Sequence, residues 1–438
     1  MRILFLCHGH PALQAGGTEI ASHALFRALR TRPGVEGLFV AGVSALHRPA
    51  SPGTPFQAAS AEPDELLMRT EAFDRFMLSQ TDLHGIAPEL ARLVEELRPD
   101  VVHIHHPLLI GVEALHLIRR SWPRAKIVVT LHDYYAICAH EGLMRTTNGR
   151  LCSAASPDAC RRCLPERSAT EFRLRELHIR GMYRLVDRFV SPSRFLRDRY
   201  IAWGLDPEAI TVLPNGVLPA EPTPHRALLR GVERRDRFAF FGHINAPKGA
   251  MVAVAASSQL SRQGIAHHLA LHGGAEFQTD AFLTAFRDAL ATAPDARHHG
   301  AYARDELATL IAAADWVVMP SVWWENAPLV IQEAFQHRRP VITSGIGGMA
   351  EMVRDGIDGL HVRPDDPAAL ATAMMHAAED PALWRAVVRE IRSPIGLDAA
   401  AEAHLAFYAT LGVAIPGAPA LRKRAARPSA TRRARRAA

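Results

Sequence analysis

The sequence predicts an α/β protein of two doubly wound, Rossmann-like parallel sheets facing a deep cleft between two domains. Two observations carry this. Short apolar runs alternate with longer stretches of helical periodicity through both halves of the chain, the order that βαβ units produce. Several of those runs end in glycine-bearing turns that open the next helix: "GG" at 16–17, "FFG" at 240–242, "HGG" at 272–274 and "GIGG" at 345–348. In open α/β sheets, turns at the carboxyl ends of strands face the ligand.

A chain of 438 residues has room for two or three domains with ample cores. A hydrophobic content of 48% and a charged content of 22% fit a globular protein. No apolar run approaches the roughly 18 residues of a membrane span, and "ILFLC" at the start is too short for a signal peptide. The expected location is therefore the cytoplasm. The formal charge of +6 sits at the end of the chain, because residues 413–438 hold eight Arg/Lys and no acid, leaving the body at −2. That tail reads as disordered. Attraction to an anionic membrane or to nucleic acid is one reading of it, a solubilising end without a partner the other. No phosphate-loop stretch and no dinucleotide fingerprint is present in a βαβ context.

In chain order, "RILFLCH" reads as the first strand, followed by a loop and a helix that Thr18 would cap. Gly16 and Gly17 allow a ligand close to the backbone. Residues 45–65 are rich in Pro, Ala and Ser and read as loop, and a helix covers about 87–97. "PDVVHIHH" is a strand whose end carries His103, His105 and His106. These could bind a metal, but a strand end fits better with one imidazole in the cleft and the others bonded to backbone. "KIVVTLHDYY" is the next strand, with His132 and Asp133 at its carboxyl end.

Cys138, Cys152, Cys160 and Cys163 lie within 26 residues, while Cys7 stands alone on the first strand. Spacings of thirteen, seven and two residues admit a closed, structural zinc site. Reduced thiols or a redox pair are the alternatives. Residues 168–188 form an Arg-rich amphipathic helix, read as a surface helix with Glu/Arg pairs or, more sharply, as a membrane-facing one. Pro214-Asn215-Gly216 is a strong turn. Beyond it, "RFAFFGHINAPKGAMV" reads as strand, Gly242, a loop, Lys248 and a helix, with Lys248 suited to a phosphate as a mobile point charge.

The most informative stretch is "PSVWWENAPLVIQEAFQHRRPVITSGIGGMAEMV", residues 320–353. It reads as a turn bearing Glu325, a helix over 327–337 capped by Asn326 with Pro328 in its first turn, a strand, a glycine turn and a helix from about Met349. Glu325 and Glu333 have seven residues between them, roughly 12 Å of helical rise. That separation matches the reach between the two ends of a nucleotide-sugar, and the first helical N–H groups lie between. An acidic first turn with a solvated mid-helix Glu is the bland alternative.

This stretch closely resembles glycosyltransferase family 4, retaining enzymes of the GT-B fold, which carry two Glu so spaced, followed by "EA", "PVI", "GG" and a further Glu. The likeness extends to about residue 410. It implies an N-terminal acceptor domain, 1–215, carrying the Cys-rich insertion 138–163, and a donor domain, 216–395. A helix, 396–412, crosses back to the first domain, and the tail is 413–438. It further implies a nucleotide-sugar donor, UDP- or GDP-linked, a glycan or lipid-linked acceptor, and a peripheral position on the inner face of the membrane. No specific nucleic acid is expected as a partner. Catalytic roles fall to Glu325, His132 and Lys248. Donor binding falls to Gly16, Gly17, Gly242, His243, Lys248, Asn326, Ala327, Pro328, Leu329 and Glu333, while Glu19, His105 and Asp133 belong to the acceptor side of the cleft. No catalytic cofactor is implied, so zinc on the four cysteines would be structural. One departure stands out: the family usually has Arg one residue after the glycine where this chain has His243, which cannot form a guanidinium fork. An epimerase of the same architecture, or a silent sugar-binding homologue, therefore stays open beside the transferase.

Overall fold

The structure is a computed structural model and describes all residues except 46, 48, 50–52, 83, 228–233, 277 and 418–438. Most of the basic tail therefore lies outside the described residues.

Two parallel sheets organise the chain. The first runs in the order Ile210–Val212, Arg188–Ser191, Lys126–Thr130, Val101–Ile104, Arg2–His8, Glu36–Val43, Glu65–Arg69, Phe56–Ala58. All neighbours are parallel except the last pair. The second runs Ala296–His298, His268–His272, Arg237–Phe241, Trp316–Met319, Val341–Ser344, Gly359–Val362, and is parallel throughout. Each sheet starts at its middle and grows first to one side and then to the other. A topological switch point therefore lies between Arg2–His8 and Val101–Ile104, and another between Arg237–Phe241 and Trp316–Met319.

The central strands are mostly apolar because both faces of each sheet are covered. On the first strand Leu4 and Leu6 face one core, with Leu90, Val94 and Ile118. Ile3, Phe5 and Cys7 face another, with Phe26 and Leu29 of the helix Gly17–Arg30. On Arg237–Phe241 the split is Phe238 and Phe240 against Ala239 and Phe241. This alternation follows from the period of two along a strand.

The final helix, Leu397–Thr410, packs back on the first sheet. Tyr408 Oη lies 2.7 Å from His103 Nδ1, and Arg32 reaches Asp398 at 2.8 Å. The chain leaves the first half at Val217 beside the point where it returns, since Val217 bridges Gly396 and accepts from the Leu397 amide at 3.0 Å. Arg339, fully buried, secures the linker between the sheets by donating to the carbonyls of Thr223 and Pro224.

Several local expectations are corrected. The helix read over 327–337 is Leu329–Gln336, with Pro328 at its N-cap. Asn326 does not cap it, because its side chain is spent on the opposite wall of the cleft. Nor does Thr18 cap the first helix, which opens at Gly16 with no side-chain cap. The helix placed near Met349 begins at Gly347. The segment 45–65 contains an edge strand, Phe56–Ala58, which pairs antiparallel with Glu65–Arg69 and so needs little apolar content of its own. The Arg-rich helix, Ala169–Tyr183, has the surface pairs Arg167–Glu171 and Glu176–Arg180. It also turns Arg175 inward to donate to the carbonyls of Phe76 and Ala136.

His404 is buried beneath the first sheet, and burial lowers its pKa to about 4. An unfolded His titrates near 6.5, so the unfolded state takes up this proton first. The contribution is intact above about pH 6.5 and lost as pH falls toward 4, by an amount on the order of 3 kcal/mol. Urea unfolding of His404→Gln between pH 7 and 4 should therefore show a shallower acid loss than the parent; equal slopes would refute the assignment.

Candidate functional site

The carboxyl ends of the two sheets face each other, and the space between them is a cleft of about 320 Å³. Gly16, Gly17, His132, Asp133 and Asn215 line it from the first half. From the second come Gly242, His243, Lys248, Tyr302, Arg304, Trp323, Glu325 to Val330, and Glu333. Both switch points open into it.

Glu325 is 4% exposed. Its Oε1 accepts from Lys248 Nζ at 2.7 Å, Ser321 Oγ at 2.9 Å and Trp323 Nε1 at 2.9 Å, and its carbonyl accepts from the Gly348 amide at 2.7 Å. A nearly buried carboxylate needs such partners, since an unpaired one would be strongly destabilising. Lys248 is set in turn by the turn that precedes its helix. Its amide donates to Asn245 Oδ1 at 2.9 Å, and Gly249 holds φ +75° with its α-carbon pressed against Pro320. A Cβ at Gly249 would fall 2.0 Å from the Pro320 carbonyl oxygen.

Glu333 faces the other end of the cleft, where Arg304 donates to its Oε1 at 2.9 Å. Burial pushes its carboxyl pKa up, against the pull of Arg304. The amides of Leu329 and Val330, at the start of their helix, line the wall between the two acids.

On the first half, burial drives the His132 pKa to about 3, with His106 adding to the effect, so the ring is neutral at pH 7. Its Nε2 lies 3.0 Å from His105 Nδ1. Asp133 is held by His106 Nε2 at 2.8 Å and by the Tyr135 amide at 2.8 Å. Burial alone would raise its pKa, but His106 and that amide outweigh it and the net shift is downward. His105 and Glu19 do not reach the cleft. His105 stands buried behind His132, and Glu19 sits behind Gly16, 3.4 Å from His8, with burial raising its pKa to about 7.

Of the histidines at the end of the fourth strand, His103 bonds to Tyr408 and Thr130, His105 to His132 and His106 to Asp133. The sequence expectation is one imidazole in the cleft and the others on backbone; none of the three lines the cleft, and a backbone bond is made by His106, whose Nδ1 accepts from the Leu108 amide at 2.9 Å. Gly16 and Gly17 take ordinary backbone angles, and a Cβ at Gly17 would meet nothing within 4 Å. A Cβ at Gly16 would lie 2.3 Å from Glu19 Oε2, so glycine there makes room for that carboxylate, and at Gly17 it leaves room in the cleft.

Arg304 and Tyr302 were not singled out from the sequence, and Asn215 reads there only as part of a turn. Each is remote in sequence from the acids, and no local pattern marks it as a site residue. The turn after the strand Trp316–Met319 also joins the halves. Asn326 Nδ2 donates to the His132 carbonyl at 3.1 Å and its Oδ1 accepts from Ser193. Trp324 Nε1 donates to the Cys152 carbonyl at 2.9 Å. Glu351 accepts from the amides of Arg194 and Phe195, at 2.9 and 2.8 Å.

Comparison with known proteins decides the family. The model described as Glycosyltransferase Family 4 matches residues 15–221, and that described as Glycosyl transferases group 1 matches 235–380. This chain belongs to glycosyltransferase family 4. A D-inositol 3-phosphate glycosyltransferase of Frankia alni is 30% identical to this glycosyltransferase over 300 residues, 65% of this chain and 67% of that protein. Another, of Paenarthrobacter aurescens, is 29% identical over 382 residues, 84% and 85% of the two chains. The fold is GT-B, as in two solved structures. The sucrose-phosphate synthase of Thermosynechococcus elongatus matches with TM-score 0.68 at 20% identity, over 94% of this chain and 99% of that one. Anabaena HepE, in complex with UDP and glucose, matches with TM-score 0.65 at 17% identity, over 94% and 100%.

Among the described residues, His10, His23 and Glu65 are three ligand-type side chains with atoms within 4.8 Å of one another. They form a hydrogen-bonded network on the Glu65 carboxylate. The Ala12 amide donates to His10 Nδ1, so the ring proton sits on Nε2 and points at Glu65, which Arg27 also contacts. The glycosyltransferase's four clustered cysteines line one cavity at the flank of the cleft. No helix of the described residues is long and apolar enough to cross a membrane.

A Cβ at Gly348 would lie 1.4 Å from the Asn326 carbonyl oxygen. Gly348→Ala should cost about 2–3 kcal/mol by denaturant titration, whereas Gly17→Ala should change stability by less than about 0.5 kcal/mol. Similar losses in the two variants would show this packing to be misread.

Proposed function

We propose that this glycosyltransferase moves a sugar from a nucleoside-diphosphate donor to a hydroxyl acceptor, with retention of anomeric configuration. The observation that supports it is the placement of Lys248, two acids and a helix N-terminus on one wall, with open glycine backbone on the other. The donor lies along the second half. Glu333 Oε2, free of Arg304, takes a ribose hydroxyl, and Glu325 positions hydroxyls of the transferred sugar. The diphosphate sits between, against Lys248, the Leu329 and Val330 amides, and the backbone of Gly16 and Gly17. His243 supplies no guanidinium, and Arg304 is the cationic side chain that brings one into the cleft from another loop.

Chemistry follows from that placement. As the bond from the anomeric carbon to phosphate breaks, negative charge grows on the departing diphosphate, where Lys248 stabilises it. The acceptor oxygen bonds to the same face of the anomeric carbon, and its proton passes to the departing phosphate oxygen. No carboxylate nucleophile is required. His132, neutral and firmly held, offers a hydrogen bond to the sugar or acceptor without adding charge. The first half is then the acceptor half, with UDP or GDP the expected leaving nucleotide; the likeness to a fold solved with UDP and glucose supports the first. The acceptor is a glycan or lipid-linked glycan, met by peripheral contact with an anionic membrane.

Thermal-shift titration with UDP-, GDP-, ADP- and dTDP-sugars tests the donor site. One nucleotide should raise Tm by linkage, and Lys248→Ala should abolish that rise relative to its own unliganded baseline. In turnover assays with that donor, Glu333→Ala should raise KM at least tenfold, about 1.4 kcal/mol of binding. Glu325→Ala should lower kcat instead. Parental kinetics in both variants would overturn the site assignment, and no shift with any nucleotide would favour a silent homologue.

A further inference from the structure

We infer that Cys138, Cys152, Cys160 and Cys163 together hold one zinc ion, and that this metal knuckle braces the flank of the cleft. The inference is independent of the transferase chemistry.

All four are free thiols, partly buried, and line a single cavity of about 160 Å³. The backbone brings them there by three separate devices. A tight loop follows Cys138, whose carbonyl accepts from the Gly142 amide at 3.1 Å. A narrow hairpin closed by the Arg145–Leu151 bridge delivers Cys152, whose amide donates to Met144 at 2.7 Å. The short helix Pro157–Arg161, capped by Ser156, then places Cys160 and Cys163 on one turn, the Cys163 amide donating to the Cys160 carbonyl at 2.9 Å.

That segment has little regular secondary structure. From 138 to 163 it contains one five-residue helix and one isolated bridge. Met144 anchors it in the first core, with Cys138, Cys152 and Ala155 packed beside it, and a structural metal would add folding energy to a segment with so little regular structure. Four thiolates are one of the donor sets zinc takes in a closed tetrahedral site; His140, on the same wall, has its Nδ1 engaged with the Arg145 carbonyl. A tetrathiolate zinc carries two net negative charges, and the cavity wall has no carboxylate but does have Arg145 and Arg162. The cation on the wall matches the charge of the filled site.

In the described structure no three of the sulfurs lie within 4.8 Å of one another. Zn–S bonds near 2.3 Å place ligand sulfurs about 3.8 Å apart. Filling the site therefore turns the thiols inward into the cavity they already line. Four S–H protons pass to solvent as four Zn–S bonds form.

The consequence reaches the cleft through Trp324. Its indole N–H donates to the Cys152 carbonyl at 2.9 Å, its ring packs against Phe195 at 5.0 Å, and its neighbour in the chain is Glu325. Arg145, in the same hairpin, reaches Asp365 of the second half at 3.3 Å. Fixing the knuckle fixes one side of the turn that carries Glu325.

The test is elemental analysis of the full chain, untagged and purified without added metal or chelator. The expected result is about one zinc per chain, lost in Cys160→Ser and in Cys163→Ser and retained in Cys7→Ala. Because a serine variant can misfold, two further readouts are needed. Exchange of the native protein into cobalt should give intense thiolate-to-metal charge-transfer bands. Cys163→His, which keeps four ligands, should retain about one metal with those bands weakened by roughly a quarter. A parent chain with no metal and four titratable thiols would overturn the proposal. So would two disulfides, iron with inorganic sulfide, or equal zinc in the parent and Cys160→Ser.

Discussion

The turn Trp323–Asn326 is the constraint on which the rest of the molecule depends, because its side chains leave in three directions. Glu325 goes to Lys248 within the second half, Asn326 to His132 and Ser193 in the first, and Trp324 to the Cys152 carbonyl at the flank. The first contact sets charge inside the cleft. The other two set the distance between its walls. A Cβ at Gly348 would strike the Asn326 carbonyl oxygen, so the backbone of this turn is pressed against the next helix and cannot shift independently.

Charge in the cleft is segregated by burial. The second half presents two paired acids, each fixed by a cation, with the first residues of the helix Leu329–Gln336 between them. The first half presents a neutral imidazole, the Asp133 carboxylate tied to His106, and glycine backbone, with Glu19 and further histidines a layer behind. A phosphate group entering between the walls meets donors on both sides. The buried histidines behind His132 are uncharged because desolvation opposes a proton; His103 is bonded through both ring nitrogens, to Tyr408 and Thr130, and His105 through Nδ1 to His132.

The last helix gives this arrangement a fixed base. Tyr408 bonds to His103 one layer beneath the wall that carries His132, and the chain crosses out and back at adjacent points, Val217 and Gly396. The two halves are therefore joined at one edge by backbone and at the flank by the turn, leaving the mouth between them open.

Strand and helix order, the carboxyl-end position of the glycine turns, and the two acids with Lys248 were all legible in the sequence. Element order rests on periodicity, which the chain's own geometry enforces; the acids and Lys248 rest on local spacing together with the likeness to the family's motif. Caps were less legible: Asn326 and Thr18 have the right chemistry for an N-cap, yet Asn326 finds stronger use across the cleft, where no residue within a helical turn could be its partner. Tertiary structure alone decided that Arg304 meets Glu333 from 29 positions away, that Glu19 and His105 fall behind the wall, and that four cysteines spread over 26 residues share a cavity. Those outcomes depend on how two sheets and their loops converge, a long-range geometric fact that nearest-neighbour sterics and local hydrophobic pattern do not contain.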